Sequence, residues 1–249
     1  MAVNPSHAVT VRTVEVTGVT ICCRETGEPG GRPVVLLHGG GSSAATWDRL
    51  AASLAPAGCH VIAADLRGHG GSSRTPAYPL AGFRDDAIGL LDALALEEFS
   101  LAGHSLGGYV ASLIAQRQPG RVTRLVLEEP PAPARGPAEA HGLSPARLLL
   151  PALGALGRHR GFDHKAVTSA VRQLRVPDPA WWDRLTSITA PTLLIAGGPR
   201  SHVPPQQLAE AARKIPDCRL VTIPVGHRVH SRSPDQFRTV VVPFLTDDR

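Results

Sequence analysis

Apolar residues recur along this chain in two different rhythms. Residues 9–16 (VTVRTVEV) and 19–25 (VTICCRE) alternate or are rich in β-branched side chains, with Gly18 between them, so they predict an antiparallel pair of strands. Further on, the pattern changes to short continuous apolar runs at 33–37, 60–64, 99–102, 122–127, 192–196 and 219–223, separated mostly by stretches with helical spacing. Strands covered on both faces read as continuous apolar runs, so this alternation predicts an α/β fold with a mainly parallel sheet and helices on both sides. In such sheets function sits at the carboxyl ends of the strands.

One segment breaks the rhythm. Between Pro131 and Ser187 the chain carries Pro, Gly and Arg with helical fragments at 146–156 and 164–174, and no convincing strand. A connection of that length inside a compact domain is usually functional, so we expect a lid at about residues 131–187 over the strand ends. Residues 235–245 predict a closing helix, although Pro243 blurs its end.

Composition narrows the picture. At 249 residues and 43% hydrophobic, the chain suits one domain with one core, residues 1–249. Lys and Arg total 26 against 21 Asp and Glu, but the basic residues are scattered and only Lys165 and Lys214 are lysines. The abundance of Ala, Arg, Gly and Pro points to a GC-rich bacterial genome, and no basic patch or motif suggests a nucleic-acid partner. No run approaches the roughly 20 apolar residues needed to span a bilayer, and the first ten residues lack the charged start and apolar stretch of a secretory signal. A cytoplasmic protein without a membrane partner is expected. Cys22, Cys23, Cys59 and Cys218 form no CxxC pair, so free thiols and no metal site are expected.

Phe99-Ser100-Leu101-Ala102-Gly103-His104-Ser105-Leu106-Gly107-Gly108 is an apolar strand running into Gly-x-Ser-x-Gly and then into a helical stretch. A serine held on a sharp strand-to-helix turn has crowded neighbours, so small residues are needed two positions to either side. The following helix points its first amides at developing negative charge. Upstream, Val34-Val35-Leu36-Leu37-His38-Gly39-Gly40-Gly41 is a second strand ending in glycines, a loop that presents bare backbone N–H groups to a cavity. We therefore expect Ser105 as nucleophile, with the amides of Gly40 and Leu106 as oxyanion donors and His38 in a structural role. Near the C-terminus, Gly226-His227-Arg228-Val229-His230 offers two candidate bases. His227 follows glycine at a strand end and is preferred, with His230 the alternative. The two lack the HExxH arrangement of a metal site.

The order of His38-Gly39-Gly40, Asp65-Leu66-Arg67-Gly68-His69-Gly70, Gly103-His104-Ser105-Leu106-Gly107 and Gly226-His227 resembles the α/β-hydrolase superfamily over nearly the whole chain apart from the lid. The resemblance implies an eight-stranded sheet with the second strand antiparallel, a triad ordered nucleophile, acid, histidine, and no cofactor. It also implies a structural Asp65, holding the loop after the fourth strand. The chain departs from the family at the acid. Most members place it after the seventh strand, where this chain reads Leu194-Ile195-Ala196-Gly197-Gly198-Pro199-Arg200-Ser201-His202, with Arg200 in the acid position. Some haloalkane dehalogenases and the zearalenone lactonases carry it at the end of the sixth strand, where this chain has Glu128-Glu129. Neighbouring strand residues face opposite ways, so one of the two should reach the histidine. Glu129 is preferred and Glu128 is the alternative.

These residues predict a serine hydrolase acting on a small-molecule ester or lactone through an acyl-enzyme. A non-hydrolytic ligand-binding or cyclase member of the same fold is the competing class. Trp181 and Trp182, with Leu148 to Leu150 and Phe162, are candidates for the pocket wall, the alternative being that they pack the lid onto the sheet; Arg200 is a candidate to contact a substrate carboxylate or pair with Glu128, with a solvated loop arginine the preferred reading. Nothing in the pattern sets an oligomeric state.

Overall fold

A computed structural model describes residues 8–137, 139 and 161–247. Eight strands form a single sheet: β1 (Thr10–Val16), β2 (Val19–Thr26), β3 (Arg32–Leu37), β4 (Cys59–Ala64), β5 (Phe99–His104), β6 (Val122–Glu128), β7 (Thr192–Ala196) and β8 (Cys218–Thr222). Their order across the sheet is β1-β2-β4-β3-β5-β6-β7-β8. Only β2 runs against its neighbours; from β4 to β8 every pairing is parallel. The α/β architecture with an antiparallel second strand is thus as expected.

Side chains alternate across each strand, and the alternation splits the core in two. Val35, Leu37, Ile62, Leu101, Leu127 and Leu194 face one layer, formed by α2 (Leu80–Ala93), α3 (Leu106–Arg117) and α6 (Pro205–Lys214). Val34, Leu36, Val61, Ala102, Val126 and Ile195 face the other, formed by α1 (Asp48–Leu54) and α8 (Pro234–Thr246). Both faces being covered is why the central strands read as unbroken apolar runs.

Between β6 and β7 lie α4 (His164–Leu174) and α5 (Pro179–Arg184). The Asp163 carboxylate caps α4 by accepting from the Lys165 amide, and Asp178 caps α5 by accepting from the Trp181 amide at 3.0 Å. The expected helical fragment at 164–174 is α4; the one at 146–156 lies outside the described residues. The closing helix runs on to Thr246 with Pro243 inside it, because a proline this close to a helix end removes one ladder bond and little else. After α6 and β8 comes the short α7 (Val229–Arg232). Among the described residues no helix is long and apolar enough to cross a membrane.

Candidate active site

Ser105 sits between β5 and α3 with φ 52° and ψ −117°, a backbone conformation that side-chain-bearing residues rarely adopt. The flanking glycines permit it: a Cβ on Gly103 would lie 2.3 Å from the Gly107 carbonyl oxygen, and one on Gly107 would lie 2.2 Å from that of Leu37. The Ser105 amide donates to the Glu128 carbonyl at 2.9 Å, tying the turn to the end of β6. The cavity at the strand ends is lined by Ser105, Gly40, Leu106 and His227, so the four residues expected for nucleophile, oxyanion donors and base are together.

A set of buried groups shapes the glycine loop after β3. The Asp65 carboxylate accepts from the amides of Ala44 at 2.6 Å and Gly71 at 2.9 Å, His69 Nε2 accepts from Gly41 N at 3.0 Å, and His38 Nε2 accepts from Leu66 N at 3.0 Å. Burial pulls His38 down to about 4 and His69 to about 3, so both stay neutral and able to accept. In the same loop a Cβ on Gly39 would come 2.6 Å from His104 Nδ1.

Both glutamates at the end of β6 are fully buried, and they part company. Glu129 has left strand geometry, with φ 51°, and its Oε2 lies 3.1 Å from His227 Nδ1. Its Oε1 accepts from the Gly197 amide and its Oε2 from the Ser201 hydroxyl. Burial raises the Glu129 carboxyl above its ordinary value, and the donors from Gly197 and Ser201 oppose that rise. Glu128 turns the other way and holds His230, through the His230 amide at 3.0 Å and Nδ1 at 2.7 Å, while His230 Nε2 meets the Thr46 hydroxyl at 2.8 Å. The carboxyl of Glu128 lies below its ordinary value: burial would raise it, but the imidazoles of His230 and His104 outweigh burial. His104 Nε2 donates to the His227 carbonyl at 2.9 Å, and its ring, which lines the cavity, lies 4.8 Å, centroid to centroid, from that of His230.

His227 lies well below the ordinary histidine range, chiefly through burial, then through the fields of His202, Arg228 and His230. A neutral imidazole can accept a proton. Its ring is 3.8 Å, centroid to centroid, from that of His202. His202, like Ser201, comes from the loop after β7 where most of the family keeps its acid. Sequence reasoning passed over both, because a serine and a histidine there gain meaning only from what they meet in the fold, Ser201 the Glu129 carboxylate and His202 the ring of His227.

The expected pocket wall needs correcting. Trp181 and Trp182 are each 1% exposed and pack into the core, the first donating its indole N–H to the Ser112 hydroxyl at 3.0 Å and the second to the Pro133 carbonyl at 2.8 Å. A buried indole needs such a partner, which explains their place in the core. Arg200 is exposed, spends its guanidinium on the Pro224 carbonyl at 2.8 Å, and pairs with neither Glu128 nor the cavity. Phe162 stacks on His69, and Leu148 to Leu150 lie outside the described residues. The apolar wall is instead Pro131 and the face of α4: Val167, Ala170, Val171 and Leu174.

A match to the alpha/beta hydrolase family covers residues 34–240. The chain belongs to the alpha/beta hydrolase family. Within it, the chain is a serine hydrolase of the esterase- and lactonase-like branch. It is 28% identical to the sn-1-specific diacylglycerol lipase of Mus musculus, over 85% of this chain and 80% of the relative. It is 33% identical to a putative carbamate hydrolase of Variovorax paradoxus, over 82% of this chain and 88% of the relative. Among solved structures, an N-acyl homoserine lactone degrading enzyme superposes with a TM-score of 0.76 at 27% identity, over 94% of this chain and 100% of that one.

Proposed function

We propose that Ser105, His227 and Glu129 are the triad of an esterase or lactonase for small to medium apolar acyl groups, with the β6–β7 insertion as its lid. The observation that carries this is the 3.1 Å contact of Glu129 Oε2 with His227 Nδ1, in the same cavity as a serine held at positive φ. His227 Nε2 takes the Ser105 proton as Oγ attacks the substrate carbonyl; Glu129 fixes the tautomer and stabilises the imidazolium. The amides of Gly40 and Leu106 receive the oxyanion, the leaving alcohol or ring oxygen departs with the proton from His227, and water then releases the acyl group from Ser105.

The cavity holds about 120 Å³, and a smaller space of about 40 Å³ adjoins it, sharing Pro131, Val171, Leu174 and His202. For scale, an apolar cavity of roughly 150 Å³ takes a benzene ring. The names of the similar proteins, a lipase, a lactone-degrading enzyme and a putative carbamate hydrolase, each point to a substrate with an acyl carbonyl, which supports the reading. Hydrolysis of 4-nitrophenyl acyl esters of increasing length tests the reading: turnover in the wild type, its loss in Ser105→Ala, and an acyl adduct on Ser105 by mass spectrometry are expected. Turnover that survives Ser105→Ala would overturn it.

A further inference from the structure

The cavity beside Ser105 is apolar along α4, yet one corner carries a full charge. Arg228, the residue after His227, lines it, and among the lining residues it is the one permanently charged side chain. The guanidinium is exposed and faces no carboxylate within ion-pair distance among the described residues. Several other arginines are paired with carboxylates: Arg24 with Asp48, Arg67 with Asp86, Arg121 with Asp92, Arg135 with Glu210. Nor does the undescribed part of the insertion hold a matching acid, because residues 140–160 contain three arginines and no Asp or Glu.

This cation stands where it hinders the reaction. Its field is one of those that disfavour the protonated form of His227, the form that appears as Ser105 loses its proton. His202 and His230 act in the same sense, and Glu129 is the carboxylate held against the ring. A negative charge on the bound substrate would cancel the field of Arg228 at the moment the imidazolium forms, and would give the guanidinium the bidentate partner it lacks.

We propose that Arg228 selects an ester or lactone that bears an anionic group, a carboxylate or a phosphate, placed at the cavity mouth while the apolar part lies along α4. The inference rests on the hydrolase reading above. It narrows that reading from acyl esters in general to anionic ones, and makes Arg228 a specificity-determining residue.

The test uses matched probes. Mono-4-nitrophenyl glutarate carries a carboxylate, and its glutaramide analogue is the neutral isostere; 4-(butyryloxy)phenyl phosphate, 4-(butyryloxy)benzoate and phenyl butyrate place phosphate, carboxylate or nothing on the leaving group. Wild type is expected to prefer an anionic member of at least one series. Arg228→Gln is expected to lower that ratio of kcat/KM about 10- to 100-fold, and Arg228→Lys by less, as for a lost charge-assisted pair. The series with the larger Arg228-dependent ratio identifies whether the anion belongs to the acyl or the leaving group, and within the leaving-group series the larger ratio identifies carboxylate or phosphate. A ratio that Arg228→Gln leaves unchanged in every series overturns the proposal, while hydrolysis of the neutral probes by a Ser105-dependent route would leave the hydrolase reading standing. If no probe is turned over, calorimetric binding to Ser105→Ala decides. Preferential binding of an anionic probe that is lost in Ser105→Ala/Arg228→Gln supports the proposal, and equal or absent binding overturns it.

Discussion

Glu128 and Glu129 are neighbours in the chain whose carboxylates serve different histidines: Glu128 meets His230 at 2.7 Å and Glu129 meets His227 at 3.1 Å. The divergence comes from the backbone. Glu128 is the last residue of β6 and Glu129 has turned to φ 51°, which carries its side chain toward β7 and the loop containing Ser201.

The two glutamates should therefore fail differently when altered. Glu129→Gln keeps the shape but removes the charge that stabilises the His227 imidazolium, so kcat should fall by roughly 10²- to 10⁴-fold with little change in the melting temperature. Glu128→Gln leaves the proposed triad untouched and strips a fully buried charge from His230, so it should cost about 3 kcal/mol of stability. For a chain of this size that is roughly 6–12 °C in Tm. Steady-state kinetics and thermal melts of both variants check the ranking; a larger loss of kcat in Glu128→Gln would move the acid to the other residue.

Much of this site was legible because its parts have local causes. Gly103-x-Ser105-x-Gly107 is spelled out by crowding at one turn, and His227 by a glycine at a strand end. The family resemblance narrows the acid to Glu128 and Glu129, strand alternation says that one of them should reach the histidine, and Glu129 is the one preferred; what carries its carboxylate to His227 is a positive φ, which no periodicity announces for a glutamate. The tryptophans misled for a related reason. Large apolar residues in a lid segment suit a pocket and a core equally, and only the partners of their indole N–H groups, Ser112 and Pro133, decide the matter. His202 and Arg228 needed the fold, since each matters by standing beside a ring 25 residues away or next door in a cavity.

His202→Phe should shift the pH profile. With His227 as the proposed base, activity requires its neutral form, so kcat/KM is expected to fall as pH drops through the pKa of that ring, which burial holds well below the ordinary histidine value. Burial is the leading cause and His202 the next, and phenylalanine keeps the ring packing while removing the charge that His202 can carry. The groups that remain around His227 are His104, His230, Arg228 and Glu129. The acid limb of kcat/KM should move to higher pH in the variant; a limb that stays in place or moves down would show that His202 has no electrostatic hold on the base.

Stability should fall in mild acid, before the carboxylates are reached. His38 and His69 are buried and neutral, with values of about 4 and about 3 against 6.5 when unfolded. A histidine with a depressed folded pKa contributes stability that is complete above 6.5 and is lost as pH falls toward the folded value, because only the unfolded chain takes up the proton. Each should remove about 1.4 kcal/mol per pH unit within its window. Urea midpoints measured from pH 7 to pH 4 should decline, and His38→Gln should show a shallower decline; a flat wild-type profile would mean these rings are protonated in the fold.

Leu174 should control how far an acyl chain can extend. With Pro131, Val171 and His202 it borders both the cavity at Ser105 and the smaller space beyond it, so its side chain helps divide the two. Leu174→Ala would join them and lengthen the apolar path without touching Ser105, His227 or Glu129. One methylene in an apolar site is worth about 1–3 kcal/mol at the transition state. The optimum in a series of 4-nitrophenyl esters should therefore move to a longer acyl chain, with kcat/KM for that chain rising roughly tenfold relative to the shortest ester. An optimum that does not move would mean that the acyl group takes another route out of the cavity, and that α4 faces the leaving group.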